Sequence, residues 1–247
     1  MVRSGSLLLW RWHGTDGTTA FLFRNRYQSG MRDSSAANPF CTRFFQPGAI
    51  PFFFPPPMTL DQLVERIGSC SDPRMAIVGP HGSGKSTLVQ HLLDHPEFSS
   101  SGNVIGHVRF SSGDRGAERW LVMHRALRKF ADGKPSYLFV DGWEQMDRWL
   151  QWCVRWRATR RAARILATSH SLPKHFIKIW GTHVDPPVEQ HVLEHMLRGA
   201  AEISRETLVA SQAWQNSRRK RGQNLRESLF DMYDWYRDQV DADTQRG

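Results

Sequence analysis

Cysteine is scarce in this chain. Cys41, Cys70 and Cys153 are the three in 247 residues, and they lie far apart. That number and spacing suit neither a disulfide framework nor a four-ligand zinc site, and they fit a reducing, cytoplasmic setting. Long apolar runs are missing as well. No stretch approaches the ~20 apolar residues of a membrane-spanning helix, which excludes an integral helical membrane protein. The apolar run at residues 7–10, followed by Arg11, is shorter than the ~7–15-residue apolar region of a secretory signal, so secretion by that route is not expected. Acidic charge is in deficit: 33 Lys and Arg stand against 24 Asp and Glu, a net +9. The excess points to an anionic partner, which composition leaves open among nucleotide, nucleic acid and membrane surface.

What is present can build a core. Apolar residues make up 40% of the chain, and the length allows one to two domains at ~150 residues each. Residues 1–37 show no sustained period and read as a flexible extension. From residue 38 the texture becomes aromatic, and six prolines between positions 39 and 57 forbid a long helix there. Leu60, Leu63, Val64 and Ile67 then follow Thr59 at helical spacing. Further on, strand-like runs alternate with helical ones. Strands are predicted at 75–78, 104–110, 137–140, 165–167 and 176–180, and helices at 86–93, 117–130 and 144–163. Residues 187–239 are helical in pattern, with breaks near Arg198-Gly199 and Arg221-Gly222. This order predicts a three-layer α/β core with a parallel sheet over 38–186 and a small C-terminal helical lid over 187–240.

The strongest signal is Gly79-Pro80-His81-Gly82-Ser83-Gly84-Lys85-Ser86-Thr87, which fits G-x-x-x-x-G-K-[ST] and sits between a strand and a helix. A nucleotide's β-phosphate must be wrapped by backbone N–H groups, and glycines permit the conformations and close approach this needs. The following helix adds unpaired N–H groups and its positive dipole end. Lys85 is placed to reach the β/γ oxygens, the Ser86 hydroxyl to join a Mg²⁺ shell, and Thr87 to meet the α-phosphate. The segment resembles the Walker A loop of P-loop NTPases.

Residues 137–141, Tyr-Leu-Phe-Val-Asp, form an apolar strand ending in a carboxylate and resemble a Walker B strand. Asp141 is then a candidate Mg²⁺ residue beside Ser86, since Mg²⁺ takes oxygen ligands. Gly142 stands where many ATP-hydrolysing members of the class carry Glu, and the next acid is Glu144. Glu144 either polarises the attacking water or caps a helix, where a first-turn carboxylate is favoured anyway. Thr168-Ser169-His170 closes the next strand, at a place similar to the sensor 1 position of AAA+ ATPases; Ser169 and His170 are the candidates to contact the γ-phosphate or the lytic water. Asn224 and Glu227 have capping-box spacing, which puts Arg226 in the first turn of a helix, where the dipole opposes a cation by ~0.3–1 kcal/mol. The string is similar to the sensor 2 motif of the AAA+ lid, whose Arg reaches the γ-phosphate.

Taken over residues 38–238, the Asn-Pro-Phe-x-Thr-Arg-Phe string, the P-loop, Asp-Gly-x-Glu-Gln, Thr-Ser-His and Asn-Leu-Arg-Glu resemble a family of bacterial P-loop ATPases of the AAA+/ASCE class. The resemblance implies ATP and Mg²⁺ as ligands. It also implies that the aromatic segment before the P-loop flanks the adenine, against which stands simple packing at the core's edge. No arginine finger is evident.

Residues 151–186 hold seven Lys and Arg against one acid, Asp185, so most of the basic excess sits here. Arg157, Arg160, Arg161 and Arg164 share one side of a helix running to residue 163, with Trp149, Leu150, Cys153 and Trp156 toward the sheet. That basic face is a solvated surface, a nucleic-acid or protein contact, or a trans-acting arginine in an oligomer. The sequence thus predicts a Mg²⁺-dependent ATPase. A slow or non-hydrolysing nucleotide switch is the alternative, and a phosphotransferase lacks any acceptor motif.

Overall fold

The computed structural model describes residues 38–41, 48–99, 102–110, 116–128, 136–198 and 203–244. The extension expected at 1–37 lies outside these residues. Five strands, β1 (Arg74–Val78), β2 (Val104–Arg109), β3 (Ser136–Asp141), β4 (Ala163–Ser169) and β5 (Ile177–Gly181), form one sheet in the order β2-β3-β4-β1-β5. Every pairing is parallel. All the C-terminal strand ends therefore open on one edge, and β4 stands between β1, which leads into the glycine-rich loop, and β3, which ends at Asp141.

Side chains alternate across the sheet and feed two cores. Val108, Leu138, Val140, Ile165 and Ala167 face α4 (Gly116–Arg128) and α5 (Arg148–Arg160). Met75, Ile77, Phe139, Leu166 and Ile179 face α1 (Leu60–Ser69), α2 (Lys85–Asp94) and the short α3 (Pro96–Ser99). These are the three layers the strand–helix alternation predicts. Thr59 caps α1 with a reciprocal capping box through Gln62.

The predicted helix over 144–163 is two elements. Gly142, at φ +90°, turns the chain into a 3₁₀ turn over Trp143–Gln145. Asp147 then caps α5 by accepting from the Leu150 N–H at 2.8 Å. Helix α5 stops at Arg160, and Ala162 at φ +48° leads into β4. Arg164 therefore lies in β4 rather than on the helix, where its guanidinium donates to the Gly68 and Cys70 carbonyls and to the Tyr137 hydroxyl.

The helical tail comprises α6 (Pro186–Leu197), α7 (Arg205–Ala210), α8 (Gln212–Arg221), α9 (Leu225–Phe230) and α10 (Met232–Thr244). Ser204 and Ser211 cap α7 and α8, a finer division than the two breaks expected. Its core joins Leu193, Leu208, Trp214, Leu225, Leu229, Met232 and Tyr236, and takes in Phe40 from ahead of α1. The basic run at 218–221 is the last turn of α8, where cations suit the dipole. Arg221 pairs there with Asp231 at 2.8 Å, and Arg218 with Glu189 at 2.9 Å. Among the described residues, no helix is long and apolar enough to cross a membrane.

Candidate functional site

The loop between β1 and α2 is held from three sides. Its Gly79 N–H donates to the Ser169 carbonyl at 3.1 Å. The Ser83 hydroxyl bonds the Pro80 carbonyl at 2.8 Å and the Thr182 hydroxyl beyond β5 at 2.6 Å. At Gly82, φ is +69°, and a Cβ would lie 2.2 Å from Asn224 Oδ1 and 3.1 Å from the Arg226 backbone nitrogen. Only glycine lets α9 seat this closely on the loop. Helix α2 begins at Lys85 with no side-chain cap, so its first N–H groups remain available to an anion.

Lys85 folds back along the loop and donates from Nζ to the Gly79 and Pro80 carbonyls, each at 2.6 Å. Burial lowers its pKa, and the charges of Glu144 and Asp141 offset that in part. His81, Gly82, Ser83, Gly84, Lys85, Ser86 and Thr87 line the cleft, and Gly79 and Pro80 do not.

Asp141 ends β3 and is buried. Thr168 donates its hydroxyl to Asp141 Oδ1 at 2.6 Å, and Arg109 donates from Nε to Oδ2 at 2.8 Å. Burial pushes the carboxyl up, but the Thr168 hydroxyl, Arg109 and the Ser86 hydroxyl outweigh it and hold its pKa below the usual 3.8. The Thr168 oxygen also accepts the Gly142 N–H at 2.9 Å, so one hydroxyl ties the end of β4 to both Asp141 and the turn after it.

Successive side chains of a strand point to opposite faces, so Thr168 and Ser169 cannot both face Asp141. Thr168 lines the cleft. Ser169 pairs with Val78 and contributes its main-chain carbonyl to Gly79.

The 3₁₀ turn brings Glu144 toward His170, with Oε1 2.7 Å from Nε2. The His81 ring lies 3.6 Å from the His170 ring, centroid to centroid. Burial lowers the His170 pKa; Glu144 opposes this, while Lys85 and His81 add to it. Position 142 cannot carry an acid: a Cβ there would meet the Phe110 carbonyl at 2.8 Å, at φ +90°.

These groups open on one cleft of about 770 Å³. Phe52, Phe53, Trp180, Val184, Val188 and Val192 supply apolar lining to the same cleft. Phe52 is fixed by its N–H to His91 at 3.2 Å and by its ring against Phe54 at 4.8 Å. Phe40, by contrast, is buried in the tail's core. Asn224 caps α9 by accepting from the Glu227 N–H at 3.3 Å, and Arg226 in the first turn is exposed on the cleft wall.

The structure thus brings Lys85, Ser86, Asp141, Glu144, His170 and Arg226 to one cleft and keeps the Ser169 side chain out of it. Sequence reasoning missed Arg109, which ends β2 directly opposite Asp141 in the register. It also missed the Thr182 clamp on the loop.

On α5 the orientation differs from the expectation. Leu150, Val154 and Ala158 face the sheet, while Trp149 and Trp156 stand in solvent. Arg157 and Arg160 are on α5, Arg161 is its C-cap, and Arg164 is in the sheet.

No protein-family model and no curated protein matches the chain. Among solved structures, that of PCH-2 from C. elegans matches with a TM-score of 0.39 and 15% identity. The match covers 68% of this chain, which spans 56% of that one.

Proposed function

We propose that the chain is a P-loop NTPase of the AAA+ kind that binds ATP and hydrolyses its β–γ bond with Mg²⁺. The observation that carries the reading is the convergence, in a single cleft, of the glycine-bounded helix start, Lys85 and the ionised Asp141 hydrogen-bonded to Ser86. Backbone N–H groups from Gly82 to Ser86 would cradle the β-phosphate. Lys85 would exchange its two loop carbonyls for β/γ oxygens, a stronger, charge-assisted pairing. The apolar lining that includes Phe52 and Phe53 would take the base.

The donors present fit a hard divalent cation. Ser86 and Asp141 offer oxygens, and among the described residues no cluster of three or more His, Cys, Asp or Glu suggests a metal cage. Mg²⁺ is commonly held by one or two carboxylates plus substrate phosphates. When bound it supplies neutralising charge to the β- and γ-oxygens. Thr168 and Arg109 keep the Asp141 carboxylate ionised and oriented. Glu144 would accept the proton of the attacking water, and His170, whose Nε2 lies 2.7 Å from Oε1, would orient Glu144. Arg226 would sense the γ-phosphate from the lid.

The switch reading has its own support. The residue after Asp141 is sterically restricted to glycine, so the nearest acid that follows is Glu144, which His170 already engages. Phosphate release from Mg·ATP separates the two readings. The ATPase reading expects release that is lost in Lys85→Ala and falls about a hundredfold or more in Glu144→Gln. Tight ATP binding with no release above background assigns the switch.

A further inference from the structure

The outward face of α5 is an aromatic ladder. Trp149, Trp152 and Trp156 leave 64%, 47% and 44% of their surface in water. The Trp149 and Trp152 rings stack at 5.1 Å and 20°, and Trp152 and Trp156 at 6.1 Å and 15°. The Arg160 guanidinium continues the stack, 4.1 Å from the centre of the Trp156 ring. At 3.6 residues per turn these four side chains fall within a sector of about 80°. Leu150, Val154 and Ala158 point the other way, into the core, so packing does not require the tryptophans.

The helix also has a one-sided charge. Between residues 148 and 160 it carries Arg148, Arg155, Arg157 and Arg160 and no acid. The nearest carboxylate, Asp147, is engaged in the N-cap. On the helix circumference Arg148 and Arg155 flank one side of the ladder and Arg157 the other. Arg157 Nε is buried with no hydrogen-bond partner.

We infer that this face binds single-stranded nucleic acid. Trp149, the most exposed ring and the end of the ladder, offers a face on which a base stacks whatever its sequence, the Trp152 and Trp156 rings behind it hold that platform in place, and the guanidinium groups take the phosphates. A duplex keeps its base faces inside its own stack and offers only phosphates to such a surface. A partner protein or a second copy would cover the rings but would have to answer four arginines on one acid-free helix, which a polyanion does by its nature. The α4 helix, on the same side of the sheet, exposes a further Trp120 at 45%.

The test uses the full chain and fluorescence anisotropy of labelled oligo-dT and oligo-rU of about 20 nucleotides in ~100 mM salt. The wild type binds at least one strand, with an affinity that falls as salt rises. Trp149→Ala and Trp152→Ala each weaken binding about fivefold or more, Trp152→Phe retains most of it, and Arg155→Gln with Arg160→Gln flattens the salt dependence. Lys85→Ala, folded by circular dichroism, binds the strand as the wild type does, which separates this face from the nucleotide cleft. The proposal is overturned by no binding to either strand, by binding that the tryptophan substitutions leave unchanged, or by binding lost in Lys85→Ala. It is also overturned by light scattering that shows an oligomer dissolved by Trp152→Ala without strand binding, which would make the ladder an interface between copies.

Discussion

Thr168→Val tests how the end of β4 holds the site together. The substitution keeps shape and removes one buried hydroxyl, which donates to Asp141 Oδ1 at 2.6 Å and accepts the Gly142 N–H at 2.9 Å. A hydrogen bond to an ionised group contributes about 1.5–3 kcal/mol, and a buried N–H left without a partner costs about 1–3 kcal/mol. Arg109 and Ser86 still hold the carboxylate, so the low ends of these ranges apply, and the loss should be about 2.5 kcal/mol. For a domain of this size that lowers Tm by roughly 5–10 °C. Urea unfolding followed by circular dichroism measures it. Thr168→Ser, which keeps the hydroxyl and loses a methyl, should cost about 1 kcal/mol. Ser169→Ala keeps the main-chain carbonyl that Gly79 uses, and should cost less than Thr168→Val. A Thr168→Val loss below about 0.5 kcal/mol, within the range of a neutral surface change, would refute the placement of this hydroxyl at the centre of the site.

Two other perturbations probe the loop and the carboxylate. Gly82→Ala places a Cβ at φ +69° and against Asn224; it should cost about 1–3 kcal/mol and speed proteolytic cleavage in α9 and α10, read by mass spectrometry. Asp141 has a folded-state pKa below 3.8, so its contribution to stability is complete above pH 3.8 and is lost as pH falls through the folded value. The stability gap between wild type and Asp141→Asn should therefore hold from pH 7 down to about pH 4 and shrink below it, as measured by urea midpoints across that range.

The glycine-rich loop between β1 and α2 was legible because its residues stand at fixed spacing between a strand and a helix, and five strands were legible because each is a short apolar run between breakers. What escaped the sequence was relational. Arg109 meets Asp141 only because β2 lies beside β3, a neighbourhood set by topology. Thr168 and Ser169 look equivalent in the string, yet strand alternation gives the cleft to one of them. The apparent helix over 144–163 hid a left-handed Gly142, an Asp147 cap and the positive φ of Ala162. On α5, tryptophan was read as a core residue, while the stripe of Leu150, Val154 and Ala158 had already supplied the buried face. An exposed large aromatic is the informative exception to apolar burial, and here it marks a second surface.

Isothermal titration of ATP into the wild-type chain and Lys85→Ala, each with Mg²⁺, addresses the central claim that this cleft is a nucleoside triphosphate site. The account predicts one ATP per chain for the wild type and at least a tenfold loss of affinity in Lys85→Ala, since that change removes a charge-assisted contact of more than about 1.4 kcal/mol. Absence of ATP binding by the folded wild type, or equal binding by Lys85→Ala, would contradict it.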